Sequence, residues 1–547
     1  MFKENKEHLQ QDLFNNLSTM DSRLTEKLQK SWAALFYKHV FCNINENSFA
    51  PLYCGDNGRP NFPVNILMGL DLIKEIRGYT DEVLLDEYAY NFQISYALGL
   101  RTLGERYFAP RTLYEFRARL YNYSLEHPEE ADIIFAQFEN LTDHFIKAAK
   151  LSTDEARMDS TQVMSNIKLA GRLSLAYDVL VNGIKALPEA LLNDALKLFL
   201  KSDYKTQFLY KLKGKDSESR IQVLIQYCAE IVQLAHGQFD LKTNPVIELT
   251  QRFLTEQATF NEKQNLWIAK DNKEISAKSL QSAYDPDATY RNKNGKKHVG
   301  FVLNLTETCA DENPVQMVTH YDLASNITSD TELLKEDLPV LNKKGVKNLY
   351  TDGAYYSPDI IEEAKAKGIE IHYTDMTGRK KFSDKLPYNA FEIENKEKIL
   401  RCPAGQEPIR AEFNEKDKTL SAHFNREICA ECPHKEKCRV GFRKTDTVVR
   451  VNQKTLIAGE IRLKIEDKEQ RREATSKRAA IEGTNSTLKR AQGLDKLSVR
   501  GIIKSTLAVG TKLIAHNFRQ LTRFFNGDIR KKVKESLKLD QGIPVTN

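Results

Sequence analysis

The sequence predicts an α/β protein whose centre is a mixed sheet with helices packed on its faces, and three observations predict it. Between residues 151 and 375, short apolar runs of strand character alternate with helical periodicity in the order β, β, β, α, β, α, β once one helical block is set aside. Hydrophobic residues make up 41% of the chain and charged residues 29%, which supplies a large core and is too apolar for a disordered chain. The 547 residues divide into about three or four domains at the usual domain size.

Residues 1–150 read as helices rich in aromatics and leucine. Thr80 caps one, with Asp81 and Glu82 in the first turn where the macrodipole favours negative charge. Thr112 and Glu115 form a capping box for another, just after Pro110 and Arg111. In that second helix Leu113, Phe116 and Leu120 face the core, Tyr114, Ala118 and Arg119 face out, and Arg117 lies on the flank. With Arg101, Arg106 and Arg111 this makes a basic helical surface, fit either for a helix-turn-helix docking on DNA or for plain solvation.

The first strand of the sheet lies around Arg157–Val163, and a helical block occupies about 170–270. Strands follow at His298–Leu305 and Val315–Tyr321, then a helix at Thr331–Leu341, a strand at Val346–Asp352 closed by Gly353, a helix at Asp359–Ala366 and a strand at Ile369–Tyr373. Residues 376–450 are short strands and turns that carry four grouped cysteines. One long charged helix spans Ala458–Arg490, with helical segments to about Phe525.

Net charge is only +6, too slight to name a polyanionic partner, but it is unevenly placed. Residues 489–547 hold 13 basic and 4 acidic side chains, a local +9 that leaves the rest at −3. The first residues are too charged for a signal peptide, and no apolar run reaches the roughly 20 residues needed to span a bilayer. A cytoplasmic, nucleoid-associated protein with no membrane partner is expected, and in that reducing compartment grouped cysteines suggest metal before disulfide.

Asp159 sits in the first strand and Asp352 at the end of a later one, before a glycine that permits a sharp turn. Ligands gather at strand C-termini in open α/β sheets. Either aspartate alone is more often a cap or turn former. In the long helix, however, Arg478, Glu482, Asn485 and Lys489 stack on one face, with Arg471 eleven residues before Glu482 on the same side. Gly483 follows the glutamate at a cost of ~1 kcal/mol in a helix interior, more than a helix kept for surface charge would usually carry.

These residues resemble a known family. Arg478, Glu482 and Lys489 match the arginine, glutamate and lysine signature around the third acid of many bacterial insertion-sequence transposases of the DDE class. Met158-Asp159-Ser160-Thr161 resembles the first-acid strand of that family, and Tyr350-Thr351-Asp352-Gly353-Ala354-Tyr355 the second. One departure is Thr475, where the signature usually has a tyrosine.

The resemblance implies a ribonuclease H-like core in residues 151–375 with a helical insertion at 169–275, completed by helices at 451–525. Around it stand a helical DNA-binding domain at 1–150, a β-rich insertion at 376–450 and a basic tail at 526–547. It implies that Asp159, Asp352 and Glu482 are catalytic and hold two Mg²⁺, with Mn²⁺ able to substitute, because in-line phosphodiester cleavage uses paired divalent ions and hard cations take carboxylate oxygen. It implies further that Arg471, Arg478 and Lys489 contact DNA, joined by Arg111, Arg117 and Arg119 on the N-terminal helix. The partner would be double-stranded DNA, as terminal inverted repeats and as target, held by a homodimer or higher synaptic assembly. A ribonuclease H-like nuclease without strand transfer and a non-catalytic zinc-containing DNA-binding regulator are the alternative readings.

Cys429 and Cys432 form a C-x-x-C with Cys438 six residues on and Cys402 upstream, a set that suits a tetrahedral structural Zn²⁺. An iron–sulfur cluster or unliganded thiols are the alternatives, and His434 could replace one ligand. His298 and His320 are candidates for lying near the acids, and Asp322 is a reserve carboxylate.

Overall fold

A computed structural model of the protein describes residues 1–10, 15–55, 58–130, 132–210, 214–241, 243–293, 295–375 and 385–540. The N-terminal helices form where capping and apolar spacing agree. Thr80 accepts from the Val83 N–H and starts Asp81–Tyr90, as its sequence requires. The next basic helix, α1 (Pro110–Glu126), begins two residues before the expected capping box: Ala109 is its N-cap, and the proline, which has no N–H to leave unpaired, supplies the first position. Leu113, Phe116 and Leu120 are its buried face.

The central sheet has six strands: β1 (Glu155–Met164), β2 (Thr289–Lys293), β3 (Lys296–Thr308), β4 (Val318–Ser325), β5 (Asn348–Thr351) and β6 (Glu370–Tyr373). β3 pairs antiparallel with β1, β4 and β2, whereas β1 pairs parallel with β5 and β5 with β6. The sheet is therefore mixed, and β2 is a strand beyond those the periodicity reveals. Helix α2 (Asp330–Lys343), closed at its start by a Ser329/Glu332 capping box, and helix Pro358–Ala366 supply the crossovers of the parallel part.

Each sheet face has its own core. On one side Val163, Phe301, Leu303, Leu305 and Tyr321 pack with the N-terminal helices and the last helix of the chain. On the other, Ala156, Met158, Leu349 and Ile371 pack with α2 and Pro358–Ala366. The helical block between β1 and β2 builds a third core around Tyr177, Leu224, Ile231 and Phe253. It ends in a hairpin, Ala258–Asn261 with Leu266–Ala269, where helical periodicity had been expected to run on to about residue 270. The cysteine-bearing segment forms a separate four-stranded antiparallel sheet over Phe391, Ile399, Leu420 and Phe424.

The single long helix expected at Ala458–Arg490 is two. Gln453–Glu466 stops at Asp467, whose carboxylate caps a new helix, α3 (Lys468–Gln492), by accepting from Glu469 and Gln470 N–H. The charged run around residues 464–473 hides this break, because Asp467 is one acid among many there and no proline or glycine marks it. The last helix, α4, spans Ile502–Asp540 and so continues through residues 526–540, where a separate tail had been expected; residues 541–547 lie outside the described residues. No described helix is long and apolar enough to cross a membrane.

Candidate active site

Parallel pairing aligns the first two acids. Arg157 of β1 is level with Tyr350 of β5, and two residues further along each strand stand Asp159 and Asp352. Because side chains alternate across a sheet, the two carboxylates leave by the same face. Asp352 is one residue past the end of β5, where its Oδ1 accepts from the Ala354 N–H at 2.9 Å and caps the turn Gly353–Tyr355. Its other oxygen is turned to the site.

Helix α3 lies across β1 and β5 and buries a stripe of Ala474, Ile481, Thr484, Asn485 and Leu488. Arg478 belongs to the same stripe, so its guanidinium points inward. It lies 3.5 Å from Asp159 Oδ1, 4.0 Å from Asp352 Oδ2 and 3.5 Å from Glu482 Oε1. Asn485 donates to the other Asp159 oxygen at 2.9 Å. Acids separated by hundreds of residues thus face one cation, with Asp159 the most enclosed and Glu482 on the open rim, 63% exposed.

Buried polar bonds fix the helix in this register. Glu307 of β3 accepts from the Arg157 guanidinium at 2.7 Å and from the Thr484 hydroxyl at 2.8 Å, tying two strands to α3 two residues beyond Glu482. Arg157 also donates to the Lys477 carbonyl, and Lys477 pairs with Glu155. A one-residue slip of α3 would take the Thr484 hydroxyl from Glu307 and leave that buried oxygen without its donor, a cost of about 1–3 kcal/mol.

The site holds more negative charge than Arg478 neutralises. Burial pushes the Asp159 carboxyl up to about 6 against the pull of Arg478, and Asp352's charge adds to the rise. Burial raises Asp352 as well. The carboxylate oxygens that converge here are hard donors of the kind a divalent cation takes, and such an ion would compete with Arg478 for them. They form a spread set: among the described residues no three of these carboxylates lie within 4.8 Å of one another.

Lys489 and Lys293 stand beside the acids. Burial lowers the Lys489 ammonium, with Lys293 pushing the same way, and both lysines act on Asp159. Lys293 was missed by sequence reasoning, although the Asn294–Gly295 pair before a second basic run is a hairpin signal. Tyr355 and Asn304 were missed too; the Tyr355 hydroxyl donates to Asn304 Oδ1 at 2.6 Å beneath the acids, a contact no spacing reveals.

The remaining expected residues are dispersed. Arg471 is exposed near the start of α3, away from the three acids' contacts. On α1, Arg111 reaches solvent and pairs with Glu115. Arg117 is clamped between Asp71 and Asp81 instead of facing solvent, and Arg119 donates to the Leu52 carbonyl and lies over the Tyr53 ring. Arg101 lies over Tyr37 and Tyr96, and Arg106 pairs with Glu7, so little of the basic surface read from this segment is free. His320 binds Asp337 at 3.0 Å within the core, and Asp322, opposite Asn304 on β4, is pushed up to about 6 by burial and by Asp337.

Cys402, Cys429, Cys432 and Cys438 line one small cavity with His434. Burial raises the Cys438 thiol, and Cys429 and Cys402 add to it. The donor chemistry suits zinc, while no three of these sulfurs lie within 4.8 Å of one another, somewhat wider than zinc would draw them.

Two family models match the chain. Residues 29–119 match a transposase domain (DUF772), which covers the N-terminal helices and the first part of α1. Residues 401–522 match a transposase DDE domain, which covers the cysteines, Arg478, Glu482 and Lys489. No curated protein and no solved structure matches the chain. Asp159 and Asp352 lie outside both matched segments, and it is the fold that brings them to the matched glutamate. One transposase domain before the central sheet and one carrying Glu482 support an insertion-sequence transposase of the DDE class.

Proposed function

We propose that the protein binds the terminal inverted repeats of its own insertion sequence, cleaves DNA there and joins the freed 3′-hydroxyl ends to target DNA. The observation that carries this reading is the gathering of Asp159, Asp352 and Glu482 around one guanidinium at the end of the parallel strands. Five of the six strands, with β4, β3 and β1 antiparallel and β5 and β6 continuing parallel to β1, support a ribonuclease H-like core.

Asp159, Asp352 and Glu482 would hold two Mg²⁺, or Mn²⁺ in their place. Bound there, such ions supply activation of a water or 3′-hydroxyl and offset charge on the leaving oxygen. The chain's own groups do the rest. Asn485 orients Asp159, the Ala354 N–H orients Asp352, and the Arg157–Glu307–Thr484 network fixes the approach of Glu482. Arg478, Lys489 and Lys293 hold backbone phosphates, contacts that position DNA without reading its sequence. Hydrolysis and joining use the same site, since they differ only in the attacking hydroxyl. Arg471 and Arg111 extend the DNA surface, whereas Arg117 and Arg119 are assigned to folding. The four cysteines hold a structural Zn²⁺, and the active form is a homodimer or larger assembly that pairs two element ends.

Asp352→Asn tests the assignment. Metal-dependent cleavage of an element end should fall at least 1,000-fold, about 4 kcal/mol of activation energy, with DNA affinity changed by no more than about threefold. Full cleavage by the variant would sink the assignment. Incubating wild-type protein with pre-cleaved ends and a plasmid should give joined products; cleavage without joining would instead indicate a nuclease, and no Mg²⁺-dependent change in the DNA a regulator.

A further inference from the structure

A fourth carboxylate stands at the same end of the sheet. Asp330 opens helix α2, directly after the Ser329 cap; it is 7% exposed, and its Oδ1 has no hydrogen-bond partner among the described residues. A buried carboxylate oxygen without a donor is costly, and such exceptions call for a physical account. No lysine or arginine of the described residues forms an ion pair with Asp330, whereas Arg478 serves each of the other three acids.

Two features of the backbone place it. The connection from α2 to β5 covers only residues 344–347, so the helix runs back over the strand and its first turn stands where Asp352 leaves β5. Asp337 lies two helical turns further on, about 10 Å along the axis and on the same face as Asp330. Asp337 accepts from Asn304 at 2.8 Å, and Asn304 accepts from Tyr355, in the turn that Asp352 caps. This network lies with Ser160 on the sheet face opposite α3, so α2 meets the acids only around the end of the strands, at the Gly353–Tyr355 turn, and Asp330 is its member nearest that end. In keeping with this placement, Asp330's charge adds to burial in raising Asp352.

Resting on the metal-dependent reading of the site given above, we propose that Asp330 is a fourth acid of the centre, whose unpartnered Oδ1 accepts from a water of the divalent cation carried by Asp159 and Asp352. Hard cations such as Mg²⁺ keep several of their waters, and those waters need acceptors. Asp330 is thus a positioning residue and not a direct ligand.

The test is calorimetric titration of the full-length, DNA-free protein with MnCl₂. Asp330→Asn should weaken Mn²⁺ binding about tenfold, the usual scale for an outer-shell partner, and Asp330→Ser should do the same. Asp330→Glu should recover part of the loss, and Asp352→Asn should remove the binding altogether. All should melt cooperatively without metal, with the melting midpoint raised less by Mn²⁺ in the Asn and Ser variants than in wild type. Wild-type affinity in both charge-free variants, with binding lost in Asp352→Asn, would overturn the role of Asp330 alone. Binding absent from wild type, or kept in Asp352→Asn, would overturn the metal site and this inference together.

Discussion

Arg478 is the side chain on which the metal-free site depends, because it is the cation common to Asp159, Asp352 and Glu482. Its place on one helix face with Glu482, Asn485 and Lys489 was legible from spacing. That this face turns inward was not, since a strongly charged helix shows no apolar stripe wide enough to orient it. Replacing Arg478 with Gln removes the one cation in ion-pair range of both Asp159 and Asp352, leaving Lys293 and Lys489 further off. In EDTA the variant should lose about 1–3 kcal/mol in urea unfolding, and Mn²⁺ should restore more stability to it than to wild type. Unchanged stability in EDTA would mean that the three contacts give no net energy. Gly483 is a contrasting case: a Cβ there would meet nothing within 4 Å, so packing inside this chain does not account for its helical cost.

Among the elements, the β2–β3 hairpin changes most between sequence and structure. Lys293 and Lys296 are directly opposed across it, with Asn292 opposite Lys297 and Arg291 opposite His298. Like charges in facing positions are destabilising by a few tenths of a kcal/mol, and none of the three lysines forms an ion pair among the described residues. Such a strand pair is suited to phosphate, and Lys293 already stands beside Asp159. The triple variant Lys293→Gln, Lys296→Gln and Lys297→Gln should lower the slope of log affinity against log salt by about 2–3 units, equally on element ends and unrelated duplexes, by fluorescence anisotropy. An unaltered slope would remove the hairpin from the DNA surface. The sequence carries the turn signal for this hairpin, but β2 is short and polar, so its strand character appears only when β3 is there to pair with it.

At the scale of the whole molecule, α4 ties the N-terminal helices to the sheet. Phe518 meets Phe36 and Phe145, Lys512 pairs with Glu75, and Asn517 bonds both Val318 and Thr142. Gly510 allows the close approach, since a Cβ there would collide with the Tyr321 hydroxyl and crowd Ile134. Two histidines in this junction are held neutral: His39 is pushed down to about 4 by burial, with His144 and Lys38 adding to it, and His516 to about 4 by burial, with Arg519 and Arg523 adding. An unfolded histidine takes its proton near 6.5. The unfolded chain therefore binds protons that the folded one refuses between about 6.5 and 4, so their contribution is full above that window and is lost as pH falls through it. Thermal melting should drop between about pH 7 and 4.5, and His516→Gln should flatten the dependence. A variant with the wild-type slope would show that His516 is not part of it.

What the sequence determined by itself is local: the strand and helix order of the mixed sheet, the Thr80 cap, the grouping of four cysteines, and the signature Arg478, Glu482, Lys489 with two strand-borne aspartates. Each is written in neighbouring residues, as periodicity, cap chemistry or spacing. Tertiary structure alone decided that Asp159 and Asp352 emerge side by side, that Asp467 breaks the long charged helix, that Arg117 serves Asp71 and Asp81, and that Lys293 and Asp330 stand at the acids. Strand register, helix rotation and the choice of ion-pair partner depend on contacts between residues tens to hundreds of positions apart, and no periodicity in the chain encodes those.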